Sequence, residues 1–195
     1  MERRLLLAAR QRLQQAGLAQ ECRLSVGSTP TVLGTTSFAS LDELRPGNYV
    51  FLDRTPLRLG LAQEQDIALQ VLASVVSKNS DNIIIDAGSK TLGLDKAPHG
   101  LDPAGAGGDD FGFGLLRWPL SSKNIQAPRL LTRLSEEHGL ISRAGTPEFD
   151  PPLGSKVLIT PNHACVVANL ALRLVELSAD APPRFLEVQA RGQVR

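Results

Sequence analysis

The sequence has few of the residue types that mark secreted, membrane-embedded or nucleic-acid-binding proteins. Its two cysteines, Cys22 and Cys165, are too few for a disulfide framework, so we expect a chain of the reducing cytoplasm. The 21 basic and 20 acidic residues nearly cancel, which removes the electrostatic argument for binding nucleic acid or an anionic membrane. No apolar run approaches the about 20 residues of a transmembrane helix, and the N-terminus shows no secretory signal.

What the 195 residues do contain begins with the pattern of one α/β unit. Leu5, Ala9 and Leu13 recur at helical spacing within a helix predicted over residues 2–19. A short strand is predicted over residues 22–26, and it ends in a Gly-Ser-Thr loop. No second βα repeat follows, so this chain alone cannot build a complete parallel sheet.

After residue 36 the pattern changes to short strands and turns. Strands are predicted over residues 48–53, 67–77, 83–85, 130–134, 140–142 and 156–160, and a closing hairpin over residues 172–177 and 184–191. Residues 97–128 hold six glycines and four prolines and are predicted to be an irregular insertion outside the core. Many strands separated by turns favour a mostly β fold, an antiparallel barrel or sandwich.

The first candidate site is the loop Gly27-Ser28-Thr29. Glycine lets the backbone approach an anion, and successive N–H groups with two hydroxyls can hold phosphate oxygens. A plain polar turn after a strand explains the same three residues, so the loop alone does not establish a phosphate site.

The second candidate is the pair His163 and Cys165, which follows an apolar strand. If the backbone is extended there, side chains two residues apart face the same side, and imidazole and thiolate can share one zinc ion. Two ligands leave positions for water, substrate or another protein group, as a catalytic metal requires. A buried histidine beside an inert apolar cysteine is the alternative interpretation.

Weaker candidates are Asp86, which follows a buried strand, and His138, which follows two glutamates. A carboxylate after a strand often caps a turn, and an exposed polar turn explains His138 equally well. The role of Tyr49 stays open. All five lysines lie in turn-like or polar settings, without the apolar surroundings that would lower a lysine pKa for Schiff-base chemistry: Lys78, Lys90, Lys96, Lys123 and Lys156.

Taken in order, five stretches resemble the D-serine dehydratase and D-threonine aldolase family of alanine-racemase-like, pyridoxal-phosphate enzymes. They are Val26-Gly27-Ser28-Thr29-Pro30-Thr31, Glu43-Leu44-Arg45-Pro46-Gly47-Asn48-Tyr49-Val50-Phe51, Asp86-Ala87-Gly88-Ser89-Lys90, Glu136-Glu137-His138-Gly139 and Pro161-Asn162-His163-Ala164-Cys165. Each stretch alone is only weakly specific for the family. Together they span most of the chain in the family's own order, which makes the resemblance specific.

The resemblance implies an N-terminal (β/α)-barrel that carries the cofactor, of which residues 1–36 would be the last part, and a C-terminal β-domain over residues 37–195 that carries the metal. Gly27, Ser28 and Thr29 would bind the pyridoxal 5'-phosphate. His163 and Cys165 would bind Zn²⁺. The aldolase branch has a carboxylate where Cys165 stands, and a thiolate suits zinc, so the resemblance favours D-serine as substrate, with pyruvate and ammonia as products.

We also expect a homodimer, and the cysteine count and the charge balance given above predict a cytoplasmic protein without nucleic-acid or membrane partners. The family's cofactor-binding lysine lies early in the barrel, so we expect no catalytic residue within this chain and no activity from the chain alone. Two alternatives stay open: an aldolase-type lyase acting on D-threonine, and a non-catalytic β-domain that dimerises or binds a partner.

Overall fold

A computed structural model of the chain describes residues 2–18, 21–96, 112–120, 127–145 and 148–192. The helices are α1 (Glu2–Gln15), α2 (Thr29–Leu33), α3 (Arg54–Arg58), α4 (Ser89–Leu92) and α5 (Ala164–Leu170), with 3-10 turns at Asn48–Val50 and Glu64–Asp66. The strands are β1 (Ser25–Val26), β2 (Glu43–Leu44), β3 (Val71–Lys78), β4 (Asn82–Ile85), β5 (Gly114–Arg117), β6 (Arg129–Leu130), β7 (Arg133–Leu134), β8 (Gly139–Ser142), β9 (Lys156–Pro161), β10 (Arg173–Glu176) and β11 (Arg184–Glu187).

A seven-stranded sheet in the order β6-β5-β9-β3-β4-β8-β7 forms the body of the molecule, and all its pairs are antiparallel. Its two edge strands are separated in sequence only by Leu131 and Thr132. The N–H of Leu131 donates to the Gly114 carbonyl at 3.0 Å, and that of Thr132 donates to the Leu140 carbonyl at 2.9 Å. The sheet therefore curls until its edges meet, which confirms the mostly β, barrel-like prediction.

The core lies inside this curl and is built from alternate residues of the strands. Ile83, Ile85, Val157 and Ile159 are at most 1% exposed, and Phe149 fills the space between them and neighbouring side chains. These residues alternate with more exposed ones along each strand, although the sequence shows only continuous apolar runs there, and the strands were predicted from those runs.

The prediction that residues 97–128 lie outside the core is wrong for the part that the structure describes. Gly114–Arg117 is strand β5 of the large sheet, paired on both sides with β6 and β9, and Leu116 is 1% exposed. Glycine and proline indicate irregular backbone but do not exclude a short strand between them. Glycine is favoured at position 114, because its φ of +156° is one that L side chains rarely adopt and a Cβ would lie 3.0 Å from Ile159 Cγ2. Residues 97–111 and 121–126 fall outside the described ranges.

The strand predicted over residues 48–53 is also wrong. The chain forms a 3-10 turn at Asn48–Val50, and the Leu52 N–H donates to the Asn48 carbonyl at 2.9 Å. Tyr49 and Val50 are both exposed, so the apparent alternation does not separate two faces. Local hydrogen bonds replace the partner strand that an extended segment would need.

The front of the chain has little regular structure after α1. Only Ser25–Val26 of the predicted strand over residues 22–26 is extended, and it pairs in parallel with Glu43–Leu44. The predicted closing hairpin is present as β10 and β11, a separate two-stranded sheet. The domain boundary between residues 36 and 37 stays a prediction. Among the described residues, no helix combines the length and the apolar character needed to cross a membrane.

Candidate functional site

The Gly-Ser-Thr loop lies between β1 and α2. Ser28 precedes the helix in an extended conformation, and its Oγ accepts a hydrogen bond from the Thr31 N–H at 3.3 Å. A Cβ on Gly27 would lie 2.6 Å from Arg45 Cβ, so only glycine fits against the neighbouring strand. The loop is therefore both a helix-capping turn and a place where the backbone passes close to a basic residue.

The predicted phosphate loop and the predicted metal ligand His163 line one open cavity of about 230 Å³. Arg45 and Asn48 also line it, and the Asn48 N–H donates to Thr29 Oγ1 at 2.9 Å. Gly27 and His163 are far apart in the sequence, so the fold itself brings the two candidate sites together. Cys165 is not among the residues that line this cavity.

The His-x-Cys segment does not have the extended backbone that the sequence analysis assumed. His163 is extended, but Ala164 begins α5 and Cys165 lies in the first helical turn. Its thiol is at the surface. Partial burial raises the pKa of Cys165 above its usual value, and the negative charge of Asp53 raises it further, so the group is a thiol at neutral pH when no metal binds it.

The surroundings of His163 fit a metal ligand. Its Nδ1 lies 2.9 Å from Asp95 Oδ2, and metal-binding histidines typically contact a carboxylate through the ring nitrogen that does not bind the metal. A metal ion at this residue would therefore be bound through Nε2. Among the described residues, no group of three or more histidine, cysteine, aspartate or glutamate side chains is placed to hold a metal.

Three buried polar side chains connect the phosphate-loop half of the site with the His163 half, and no role was predicted for any of them. Asp53, Arg54 and Asn162 are 2%, 3% and 2% exposed, and we call them the polar seam. Arg54 Nη1 donates to Asn162 Oδ1 at 2.6 Å, joining α3 to the end of β9. Burial lowers the pKa of Arg54 to about 10, and the charge of Arg58 adds to this, so Arg54 stays charged at neutral pH.

Both the oxygen and the nitrogen of the Asn162 side-chain amide make hydrogen bonds. Besides accepting from Arg54, its Nδ2 donates to the backbone carbonyls of Asp95 at 2.6 Å and Gly112 at 2.7 Å. The residue next to His163 is thus fixed by three contacts, and one of these leads to the residue that holds the His163 ring. The signal for this role was visible in the sequence as an asparagine directly after an apolar strand.

The weaker candidates lie away from the cavity. Asp86 Oδ1 accepts from the Ser74 N–H at 2.6 Å, so this carboxylate caps a strand pair. A Cβ on Gly88 would lie 2.4 Å from the Glu136 carbonyl oxygen, which shows how closely this loop packs on the turn that carries His138. Lys90 Nζ donates to Glu137 Oε1 in this turn at 2.7 Å, and the hydrogen bonds of Lys90 to Glu137 and Glu136 raise the Lys90 pKa. Tyr49 is also absent from the cavity lining, among the described residues.

Comparison with known proteins places the chain in a family. The family described as "Putative serine dehydratase domain" matches residues 68–176, more than half of the chain. The chain belongs to this family. The matched residues run from the start of the large sheet to the closing hairpin and include His163, Cys165 and Asn162.

Two relatives by sequence are dehydratases. The D-threo-3-hydroxyaspartate dehydratase of Delftia sp. is 34% identical over 186 residues, which cover 92% of this chain and 47% of that protein. The D-serine dehydratase of Dictyostelium discoideum is 30% identical over 156 residues, 75% of this chain and 37% of that protein. The chain spans about half or less of these relatives and matches their C-terminal part.

Solved structures show the same fold. The Delftia dehydratase superposes with a TM-score of 0.73 at 31% identity, over 93% of this chain and 48% of that one. D-threonine aldolase from Filomicrobium marinum has a TM-score of 0.63 at 26% identity, over 94% and 45%. In the Delftia enzyme a histidine and a cysteine two positions apart have each been replaced by alanine, and the cysteine variant was solved in a metal-free form.

Proposed function

We propose that this chain supplies the zinc-binding and phosphate-binding part of a pyridoxal-phosphate-dependent lyase acting on a β-hydroxy D-amino acid. D-serine is the favoured substrate, with pyruvate and ammonia as products. The observation that carries the proposal is the single cavity lined by both Gly27-Ser28-Thr29 and His163. A substrate held on a phosphate-anchored cofactor there would lie within reach of a metal ion at the histidine.

The metal half of the proposal rests on His163 and Cys165. Asp95 holds the imidazole by Nδ1, which sets the ring orientation for a metal at Nε2. A thiolate is a soft ligand that favours zinc over magnesium or manganese. The spacing of the two residues equals that of the histidine and cysteine substituted in D-threo-3-hydroxyaspartate dehydratase, whose cysteine variant has been solved in a metal-free form.

The phosphate half rests on the loop and on Arg45. Backbone N–H groups at Gly27 and Ser28 would face the phosphate from one side of the cavity, and the Arg45 guanidinium adds positive charge beside them. Arg45 Nε donates to Ser25 Oγ at 2.7 Å, which holds the side chain along this wall. The absence of a Gly27 side chain is what allows this close packing.

When bound, zinc polarises the leaving hydroxyl group and pyridoxal phosphate accepts the electrons released at the α-carbon. The residues of this chain hold both groups and set the distance between them. The loop would bind the phosphate end and His163 the metal end of the cavity that both line, and this cavity admits a small amino acid. Cys165, in the first turn of α5 and outside the cavity lining, would be the second metal ligand.

Zinc content tests the proposal directly. We expect the purified chain to hold close to one zinc per chain, and His163→Ala and Cys165→Ala each to lose it, because two ligands leave no redundancy. His138→Ala and Cys22→Ala are matched controls that remove the same side chains elsewhere and should keep the metal. The measurement is elemental analysis after exhaustive dialysis. A wild-type chain without zinc, or equal loss in the controls, would refute the metal site.

The cofactor-binding lysine is not expected within this chain. Among the described residues, no lysine lines the cavity, and Lys78, Lys90 and Lys156 are engaged elsewhere with Asp150, Glu137 and Ser74. We therefore expect pyridoxal phosphate to bind without covalent attachment, so borohydride reduction followed by mass spectrometry should find no adduct. An adduct at one of the five lysines would contradict this assignment.

Exposed apolar side chains favour a second candidate function, a non-catalytic domain that dimerises or binds a partner. On the closing hairpin Val175 and Phe185 are directly opposite each other on the two strands and are 54% and 62% exposed. Such residues are typical of contact surfaces when they lie close together. Zinc content separates the two functions, since a pure binding domain has no need of the metal. Sedimentation analysis tests the homodimer that we expect in either case.

A further inference from the structure

Asp53 is a buried carboxylate that contacts three separate segments of the chain. Its Oδ1 accepts from the Thr55 N–H at 3.0 Å, which caps α3. Its Oδ2 accepts from Asn48 Nδ2 at 2.6 Å and from the Ala164 N–H at 3.0 Å. A carboxylate that is 2% exposed is stable there only because hydrogen bonds replace its hydration.

The contact with Ala164 reaches the metal half of the site. His163 is the N-cap residue of α5, yet its side chain makes no capping hydrogen bond. Asp53, 111 positions earlier, accepts from the first N–H of the helix instead. The backbone that carries both His163 and Cys165 is therefore held at its midpoint by Asp53.

The contact with Asn48 reaches the phosphate half. The Asn48 N–H donates to Thr29 Oγ1 at 2.9 Å, so the Gly27-Ser28-Thr29 loop is bound to Asn48, and Asn48 is bound to Asp53. One oxygen atom, Asp53 Oδ2, thus accepts from both directions. Moving either half of the site would stretch a bond to the same atom.

We infer that Asp53 is a positioning residue that fixes the phosphate loop and the His163–Cys165 pair relative to each other. This inference rests on the proposed function of the two halves. A substrate that bridges cofactor and metal needs a constant separation between them, and a short chain of hydrogen bonds through a buried carboxylate provides one. Asp53 also lines the cavity, but both of its carboxylate oxygens are already engaged by Thr55, Asn48 and Ala164, so the role assigned to it is to position the two halves.

The test is amide hydrogen exchange of the metal-free protein, followed by zinc affinity. In Asp53→Asn an amide N–H group replaces one acceptor, so we expect exchange of residues 24–33 and 162–168 to become about tenfold faster or more, while β4 is unchanged. Zinc affinity should fall by about 10- to 100-fold. Asp66→Asn, which removes an exposed capping carboxylate that accepts from the Gln63 N–H at 2.7 Å, is the matched control and should change neither.

Uniformly faster exchange that includes β4 would mean a merely structural role and would overturn the inference, as would unchanged exchange at both segments. Asn48→Ala is a milder second variant in case Asp53→Asn does not fold. It removes the side-chain bond from Asn48 to Asp53, and with it the connection of Asp53 to the loop, but keeps the Asn48 N–H bond to Thr29 and the bond between Asp53 and Ala164. Exchange should therefore rise at residues 24–33 alone; no rise there would equally overturn the inference. If the wild-type chain binds no zinc, the proposed function fails, but the exchange measurements still decide the role of Asp53.

Discussion

The curled seven-stranded sheet, which we call the barrel, and the candidate site are held together by different kinds of contact. The barrel interior is apolar, with Ile85, Val157 and Ile159 wholly excluded from solvent. The site is joined by the polar seam of Asp53, Arg54 and Asn162, equally buried but bonded through specific atoms at 2.6 to 3.0 Å. Both regions exclude water, so burial alone does not distinguish them.

The difference lies in how each region responds to change. Apolar packing is non-directional, and a core tolerates changes that preserve its volume. A buried hydrogen bond is directional, and losing one partner leaves the other without its hydration or its bond. We therefore expect changes in the barrel to act on stability alone, and changes in the seam to act both on stability and on the positions of the site residues.

The largest change in the free energy of unfolding is expected for a substitution in the barrel. Phe149 is 1% exposed, packs edge-on against Trp118 with ring centroids 6.1 Å apart, and lies under the Arg129 guanidinium. Phe149→Ala should lower the free energy of unfolding by about 3–5 kcal/mol, because it leaves a cavity. Zinc affinity of the protein that stays folded should not change.

Urea denaturation measures the loss, and Phe185→Ala is the control. Phe185 is 62% exposed on the closing hairpin, so its removal should cost less than about 1 kcal/mol. A matching drop in zinc affinity for Phe149→Ala would mean that the barrel and the site are not separable in the way proposed.

A smaller loss of stability, but a larger effect on the site, is expected in the seam. Asn162→Ala would leave Arg54 Nη1 and the carbonyls of Asp95 and Gly112 without their partner. We expect about 2–3 kcal/mol less stability, since two buried groups and one half-buried group lose hydrogen bonds. Zinc affinity should also fall, because the neighbouring His163 and its partner Asp95 lose a shared anchor.

The same denaturation and zinc-competition measurements apply, with Asn169→Ala as the control. Asn169 is exposed and accepts one hydrogen bond from the Gly192 N–H at 3.3 Å. If Asn162→Ala retains wild-type zinc affinity, the seam stabilises the fold without positioning the site.

The contrast also explains what could be predicted from the sequence. Several strands of the barrel show short runs of aliphatic, β-branched residues, as in Ile83–Ile85, and this local signal is sufficient to locate them. The strand in the glycine-rich segment was missed because it has only two aliphatic residues, Leu115 and Leu116, with glycine and proline close by. The 48–53 segment alternated by chance, and its backbone bonds locally instead.

For the site, short motifs located the parts but not their connections. Gly27 and His163 were selected for chemistry that a few adjacent residues can show. The contact between Asp53 and Ala164 spans 111 positions, and the contact between Arg54 and Asn162 spans 108. No periodicity links residues so far apart, so the seam appears only once the chain is folded.

The smallest effect concerns two exposed cations, one on the cavity and one outside it. Arg45 lines the cavity beside Ser28, whereas Lys90 pairs with Glu136 and Glu137 on a surface away from it. Arg45→Gln should weaken binding of pyridoxal phosphate by roughly 1 kcal/mol or about fivefold, because it removes one charge that faces the phosphate. The difference should shrink at high salt, since an exposed charge is screened.

Equilibrium dialysis at two salt concentrations measures the affinity for pyridoxal phosphate. Lys90→Gln, which removes the same charge elsewhere, should bind as the wild-type protein does. Equal weakening in both variants would show that net charge, and not the position of Arg45, governs the affinity.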